Sequence, residues 1–131
     1  MRLAAIDIGT NSTRLLISDF SDSGSKILER TIESTRIGRN LESTGKISKS
    51  SADDTLKTLI RYKDLMGKHD VSKYMAVGTS AVRQASNKQW FMSYIYENSG
   101  IRVNTVSGEL EARLSFTGAI KDINLDPEDH K

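Results

Sequence analysis

Short apolar runs separated by small polar turns open the chain. Leu3 to Ile8 is apolar except for Asp7, and a second run, Leu15 to Ile17, follows the small polar segment Gly9 to Arg14. Two β-rich runs joined by so few residues predict a hairpin. Ser21 to Ser25 is a cluster of turn formers. Lys26 to Ile37 predicts a third strand, half exposed, because Ile27, Ile32 and Ile37 stand among polar residues. A loop opening at Arg36 then runs to about Gly45-Lys46-Ile47.

The period changes after Ile47. Leu56, Leu59, Ile60, Tyr62, Lys63 and Met66 form a stripe at three-to-four spacing, which predicts a helix to about Lys68. Ser48 is its expected N-cap, with Ser50 and Ser51 as rivals. Tyr74 to Gly78 predicts a short buried strand that runs straight into Thr79 and Ser80 and a helical turn carrying Arg83. Trp90, Phe91, Tyr94 and Ile95 mark the apolar face of a helix from Asn87 to about Asn98, ended by Gly100. Arg102 to Val106 alternates as a fifth strand, and Ser107 to Leu114 opens a last helix. The order is β-β-β-α-β-α-β-α, which predicts an α/β fold: a mixed five-stranded sheet flanked by helices. Residues 1–121 are expected to form one domain, and 122–131 a linker or frayed end towards something else.

Composition narrows the function classes without choosing one. At 131 residues the chain is long enough for a single core. It has no cysteine, so disulfides, thiolate metal sites and cysteine nucleophiles are excluded; the expected compartment is the cytoplasm. No apolar run reaches spanning length, so no membrane association is expected, and no signal-peptide pattern is visible. A net charge of +2 is too small to argue for nucleic acid. His69 has no second ligand-type residue at metal spacing and is expected to act as a helix-end cation or bystander.

Candidate chemistry gathers at three strand ends. An Asp inside an apolar strand is costly to bury unless a cation or hydrogen bonds receive it. Asp7 is followed by Gly9, Thr10, Asn11 and Ser12, a turn able to offer backbone N–H groups, hydroxyls and an amide to an anion. The simpler alternative is a hairpin whose Asp and Asn make ordinary turn bonds. Thr79, Ser80 and Arg83 follow the fourth strand, and only an arginine offers a bidentate fork to phosphate. Ser107-Gly108-Glu109-Leu110-Glu111-Ala112 follows the fifth. Ligand crevices in open α/β sheets lie outside the carboxyl ends of strands, so these three segments are expected to meet. Glu111 could then serve as a base, or it could merely cap its helix from the N3 position.

The string Asp7-Ile8-Gly9-Thr10-Asn11-Ser12-Thr13-Arg14 resembles the first phosphate loop of the actin, heat-shock ATPase and sugar kinase superfamily. With Thr79-Ser80-Ala81-Val82-Arg83 and Ser107 to Ala112, it looks most like the exopolyphosphatase and guanosine pentaphosphate phosphatase family. Thr35-Arg36-Ile37-Gly38 matches a further string of that family; Arg36 and Arg39 would either draw a polyanion to the cleft or stand as solvated loop charges. The resemblance implies a ribonuclease H-like topology. It also implies hydrolysis of polyphosphate or guanosine penta- or tetraphosphate, with Glu111 as general base. Asp7 and Glu111 would hold Mg²⁺, and Gly9, Thr10, Asn11, Ser12, Thr79, Ser80 and Arg83 would bind phosphate. Leu110 departs from the family, which usually has Glu there. The chain ends at Lys131, before the family's second phosphate loop, so a second lobe is expected to be missing and the chain alone to be nearly silent. An exposed cleft face would favour self-association, a homodimer being one form of it. A sugar kinase or actin-like ATPase half, and a non-catalytic nucleotide-binding module, are the alternatives.

Overall fold

A computed structural model describes residues 1–105. The strands β1 (Arg2–Ile8), β2 (Ser12–Ser21) and β3 (Gly24–Ser34) lead to a short helix α1 (Leu41–Thr44) and the long α2 (Lys49–Lys68). Then come β4 (Lys73–Gly78), α3 (Ser80–Gln84), α4 (Lys88–Ser99) and β5 (Val103–Thr105). The five strands form one sheet in the order β3-β2-β1-β4-β5. β1 and β2 are antiparallel, as are β2 and β3, whereas β1, β4 and β5 run parallel. This is the mixed open α/β sheet expected from the element order.

Alternation sorts β1 onto two faces. Ala4, Ile6 and Ile8 join Leu15 and Ile17 of β2 in the main core, against Leu59, Tyr62 and Met66 of α2 and Phe91 and Ile95 of α4. Leu3 and Ala5 on the other face form a smaller cluster with Leu16, and Asp7 is the next residue on that face. The Tyr62 hydroxyl ties α2 to the sheet by donating to the Thr13 carbonyl at 2.6 Å. Ser48 caps α2 as expected, its hydroxyl accepting from the Ser51 N–H at 3.1 Å.

Several local expectations need correction. β3 ends at Ser34, and Arg36 takes φ 48°, so Ile37 is buried in the core from a turn and not from a strand. The loop from Arg36 to Ile47 contains α1, bounded by Asn40 and Gly45, both left-handed. Ile60 is 47% exposed and off the buried stripe. Lys63 also leaves it, reaching out to donate to the Ser99 carbonyl at 2.7 Å, a favourable place for a cation at the end of α4. Trp90, expected in the core, stands largely outside and stacks on Tyr94 with centroids 5.3 Å apart. His69 is the C-cap of α2, with Nε2 3.9 Å from Glu29. Among the described residues no helix is long and apolar enough to cross a membrane. The predicted last helix and the 122–131 segment lie outside the described residues.

Candidate active site

The parallel register brings three strand ends level. Ile8 pairs with Gly78, and Gly78 pairs with Thr105, so β1, β4 and β5 finish side by side. The segments that leave β1 and β4 emerge together beside the end of β5, the side on which open α/β sheets place ligands.

The β1–β2 turn is tight. The Gly9 N–H donates to the Ser12 carbonyl at 2.9 Å, and a Cβ on Gly9 would meet that same oxygen at 3.2 Å. Asp7 stands just before the turn, in register with Arg14 on β2 and Val77 on β4. Its Oδ1 is shut away from solvent.

β4 delivers Thr79 against the end of β1. The Thr79 N–H and hydroxyl both donate to the Ile8 carbonyl, at 3.1 and 3.3 Å. This doubly used carbonyl locks the two parallel strands together at the site. Thr79 does not cap α3 through its side chain, and five residues carry little macrodipole. The hydroxyl keeps lone pairs as an acceptor. Arg83 follows one turn later, its N–H donating to the Thr79 carbonyl at 2.9 Å, and its side chain is half-buried. Ser80 faces Thr10 across a cleft of about 430 Å³, lined also by Gly38, Asn40, Glu42 and Gln84.

The candidate residues Asp7, Gly9, Thr10, Asn11, Ser12, Thr79, Ser80 and Arg83 lie in or just after the ends of β1 and β4, and Thr10 and Ser80 line the cleft. Glu111, with the rest of the Ser107–Ala112 string, lies outside the described residues. Among those described, no group of three or more His, Cys, Asp or Glu side chains could hold a metal ion.

The sequence marks the Thr35–Gly38 string but not the contacts that it makes. The segment Thr35–Gly38 packs against the β1–β2 turn: Gly38 N–H donates to the Thr10 carbonyl at 2.9 Å, and the Thr35 and Arg36 N–H groups to the Asn11 carbonyl at 3.1 and 3.0 Å. Buried Thr13 and Thr35 add a hydroxyl–hydroxyl bond of 2.9 Å. Most of these are backbone bonds, which the residue types of the string do not announce. The Arg36 and Arg39 side chains are exposed.

The description of the Ppx/GppA phosphatase family matches residues 16–128. Exopolyphosphatase 1 of Mycobacterium tuberculosis is 32% identical over 117 residues, covering 88% of this chain and 34% of the relative. A bifunctional 3-dehydroquinate synthase/phosphatase of Fusobacterium nucleatum is 29% identical over 134 residues, 97% of this chain and 20% of that protein. A crystal structure of an exopolyphosphatase from Cytophaga hutchinsonii superposes with a TM-score of 0.85 at 33% identity, over 92% of this chain and 39% of that one. The Aquifex aeolicus Ppx/GppA phosphatase gives 0.83 at 32% identity, over 86% and 38%. The chain therefore spans only 20% and 34% of the length of these two curated relatives.

Proposed function

The chain belongs to the Ppx/GppA phosphatase family, and on that premise we propose that it forms the first lobe of a two-lobed hydrolase that releases orthophosphate from inorganic polyphosphate or guanosine pentaphosphate. The observation that carries this reading is the level ending of β1, β4 and β5 at Ile8, Gly78 and Thr105, each followed by one of the three candidate strings.

In this reading the Gly9–Ser12 turn receives the terminal phosphate on backbone N–H groups and on the Thr10 and Ser12 hydroxyls. Ser80 adds a hydroxyl from across the cleft, and Thr79 holds the two strand ends in register. Arg83 grips a phosphate with its planar fork and offsets the charge that builds on the oxygens. Glu111 takes a proton from water as the water oxygen attacks the terminal phosphorus. The P–O bond to the rest of the chain breaks, and the shortened polyphosphate or nucleotide leaves with that oxygen.

A divalent ion suits the donor set. Mg²⁺ commonly uses one or two carboxylates, with water and substrate phosphates completing its shell, and the buried Oδ1 of Asp7 is an oxygen ligand of the right kind. Asp7 and Glu111 would hold Mg²⁺, which supplies charge neutralisation at the phosphates when bound.

The test is Glu111→Gln in the full-length protein, which keeps shape and removes the base. Phosphate release from long-chain polyphosphate should fall by about 10²–10⁴-fold in kcat, with binding retained. Unchanged kcat with a lowered melting temperature would leave Glu111 as a helix cap and the mechanism without its base.

A further inference from the structure

Gly38 lies against the turn proposed above to bind phosphate, beside Thr10 on the wall of the cleft. A Cβ built on Gly38 would fall 2.4 Å from Thr10 Cγ2, far inside contact distance, and 3.4 Å from the Thr10 carbonyl oxygen. The Thr10 methyl therefore occupies the space that a side chain at position 38 would need. The Gly38 backbone lies outside the left-handed region, so alanine could adopt it without strain. The absent Cβ is required by Thr10 and not by the backbone.

The same contact orients the turn itself. In a trans peptide the C=O of one residue and the N–H of the next point in opposite directions, and no described peptide bond is cis. The Thr10 and Asn11 carbonyls are held by the Gly38, Thr35 and Arg36 N–H groups. The Asn11 and Ser12 N–H groups are thereby turned away from the bracing segment. Thr10 also has only three staggered choices of χ1. With its methyl lodged against Gly38, the direction of its hydroxyl is set.

We infer that Gly38 is a positioning residue for the phosphate loop: its missing side chain seats the Thr10 methyl and so sets the direction of the Thr10 hydroxyl on the wall of the cleft. The inference rests on the proposed phosphate role of Gly9–Ser12. It assigns to the Thr35–Gly38 string a steric task distinct from the electrostatic one that Arg36 suggests. A methyl at position 38 forces Thr10 into another χ1 well, swinging the hydroxyl by about 120°, or pushes the turn off its brace.

The experiment is a double-substitution cycle in the full-length protein, with long-chain polyphosphate as substrate. Gly38→Ala should lower kcat/KM by about 10- to 100-fold, the cost of misplacing a positioned group, while the melting temperature moves little. Thr10→Ser removes the clashing Cγ2 and keeps the hydroxyl. Adding Gly38→Ala to Thr10→Ser should therefore cost little or nothing beyond the Thr10→Ser protein alone. An equal loss in both backgrounds, or no loss with Thr10 present, overturns the inference. If the parent protein releases no phosphate, the hydrolase reading has failed on its own, and hydrogen exchange decides the brace separately. Gly38→Ala should speed amide exchange in the peptide spanning Gly9–Ser12, and Thr10→Ser should reverse it; unchanged exchange rejects the brace.

Discussion

Removing one buried hydroxyl, in Tyr62→Phe, tests how α2 supports the strand behind the candidate site. Tyr62 is 1% exposed, and its hydroxyl donates at 2.6 Å to the Thr13 carbonyl on β2. Phenylalanine preserves the ring, so almost no cavity opens and the loss is close to that of the bond. A net intramolecular hydrogen bond contributes about 1 ± 0.5 kcal/mol, somewhat more when a buried carbonyl is left short of a donor. An expected cost of about 1–2 kcal/mol corresponds to a urea midpoint lower by roughly 0.5–1 M at a slope near 2 kcal/mol/M. The loss also has a pH signature. Burial, with Glu33 adding to it, pushes the Tyr62 phenol well above its ordinary value. The folded state then keeps a proton that the unfolded state gives up near pH 10. This contribution is complete below about pH 10 and is lost as pH rises beyond it, at about 1.4 kcal/mol per unit. The gap between the two proteins should therefore narrow above about pH 10. Equal urea midpoints at neutral pH, or a gap that stays constant into the alkaline range, would refute the assignment of that hydroxyl as a buried tie.

Two further substitutions probe the supports of the same edge. In Gly78→Ala the new Cβ would meet three Val82 side-chain carbons at 2.8 to 2.9 Å; overpacking against a fully buried valine should cost about 1–3 kcal/mol by chemical denaturation, and a neutral result would show that α3 moves freely. The Asn87 side chain accepts from the Ile47 N–H and donates to the Ile47 carbonyl, both at 2.9 Å. Asn87→Ala should therefore lower stability by about 1–3 kcal/mol, read from urea midpoints; an unchanged midpoint would mean that water replaces the amide at no cost.

How much could be read from the chain beforehand depended on range. The β1–β2 hairpin was legible because alternation and a short turn are local, and α2 because Leu59, Tyr62 and Met66 repeat at helical spacing behind a serine cap. Ile60 was misassigned because hydrophobicity alone does not say which flank of a helix faces the sheet. Trp90 was misplaced for a similar reason: its apolar surface is satisfied by stacking on Tyr94. The helix α1 had a signal in its flanking Asn40 and Gly45, both suited to left-handed backbone, but one turn has too little periodicity to register. The amide clamp from Asn87 to Ile47 spans 40 residues, and no local pattern announces it. The brace from Thr35–Gly38 to the β1–β2 turn is carried largely by backbone, which every sequence shares.

The residues that break local rules cluster where β1, β4 and β5 end. Asp7 interrupts a strand whose preceding same-face residues, Leu3 and Ala5, are fully buried. Gly38 and Gly78 stand where side chains would strike Thr10 and Val82. Thr79 is a buried polar residue that spends its N–H and hydroxyl on one carbonyl of the neighbouring strand. Elsewhere the chain largely follows pattern: apolar side chains from β1, β2, α2 and α4 meet in one core, and exposed ion pairs decorate the surface. Proteins tolerate local conflicts where the surrounding structure over-determines them, and such conflicts concentrate at functional sites. Here the over-determination is visible: β1 is paired on both sides, antiparallel with β2 and parallel with β4, so its end cannot shift without disturbing both ladders. A carboxylate, a close-packed turn and a hydroxyl-bearing strand end are thus held at the ends of two interior strands, β1 and β4. The proposed phosphate chemistry works by positioning and electrostatics, and this placement would supply the preorganisation that it needs.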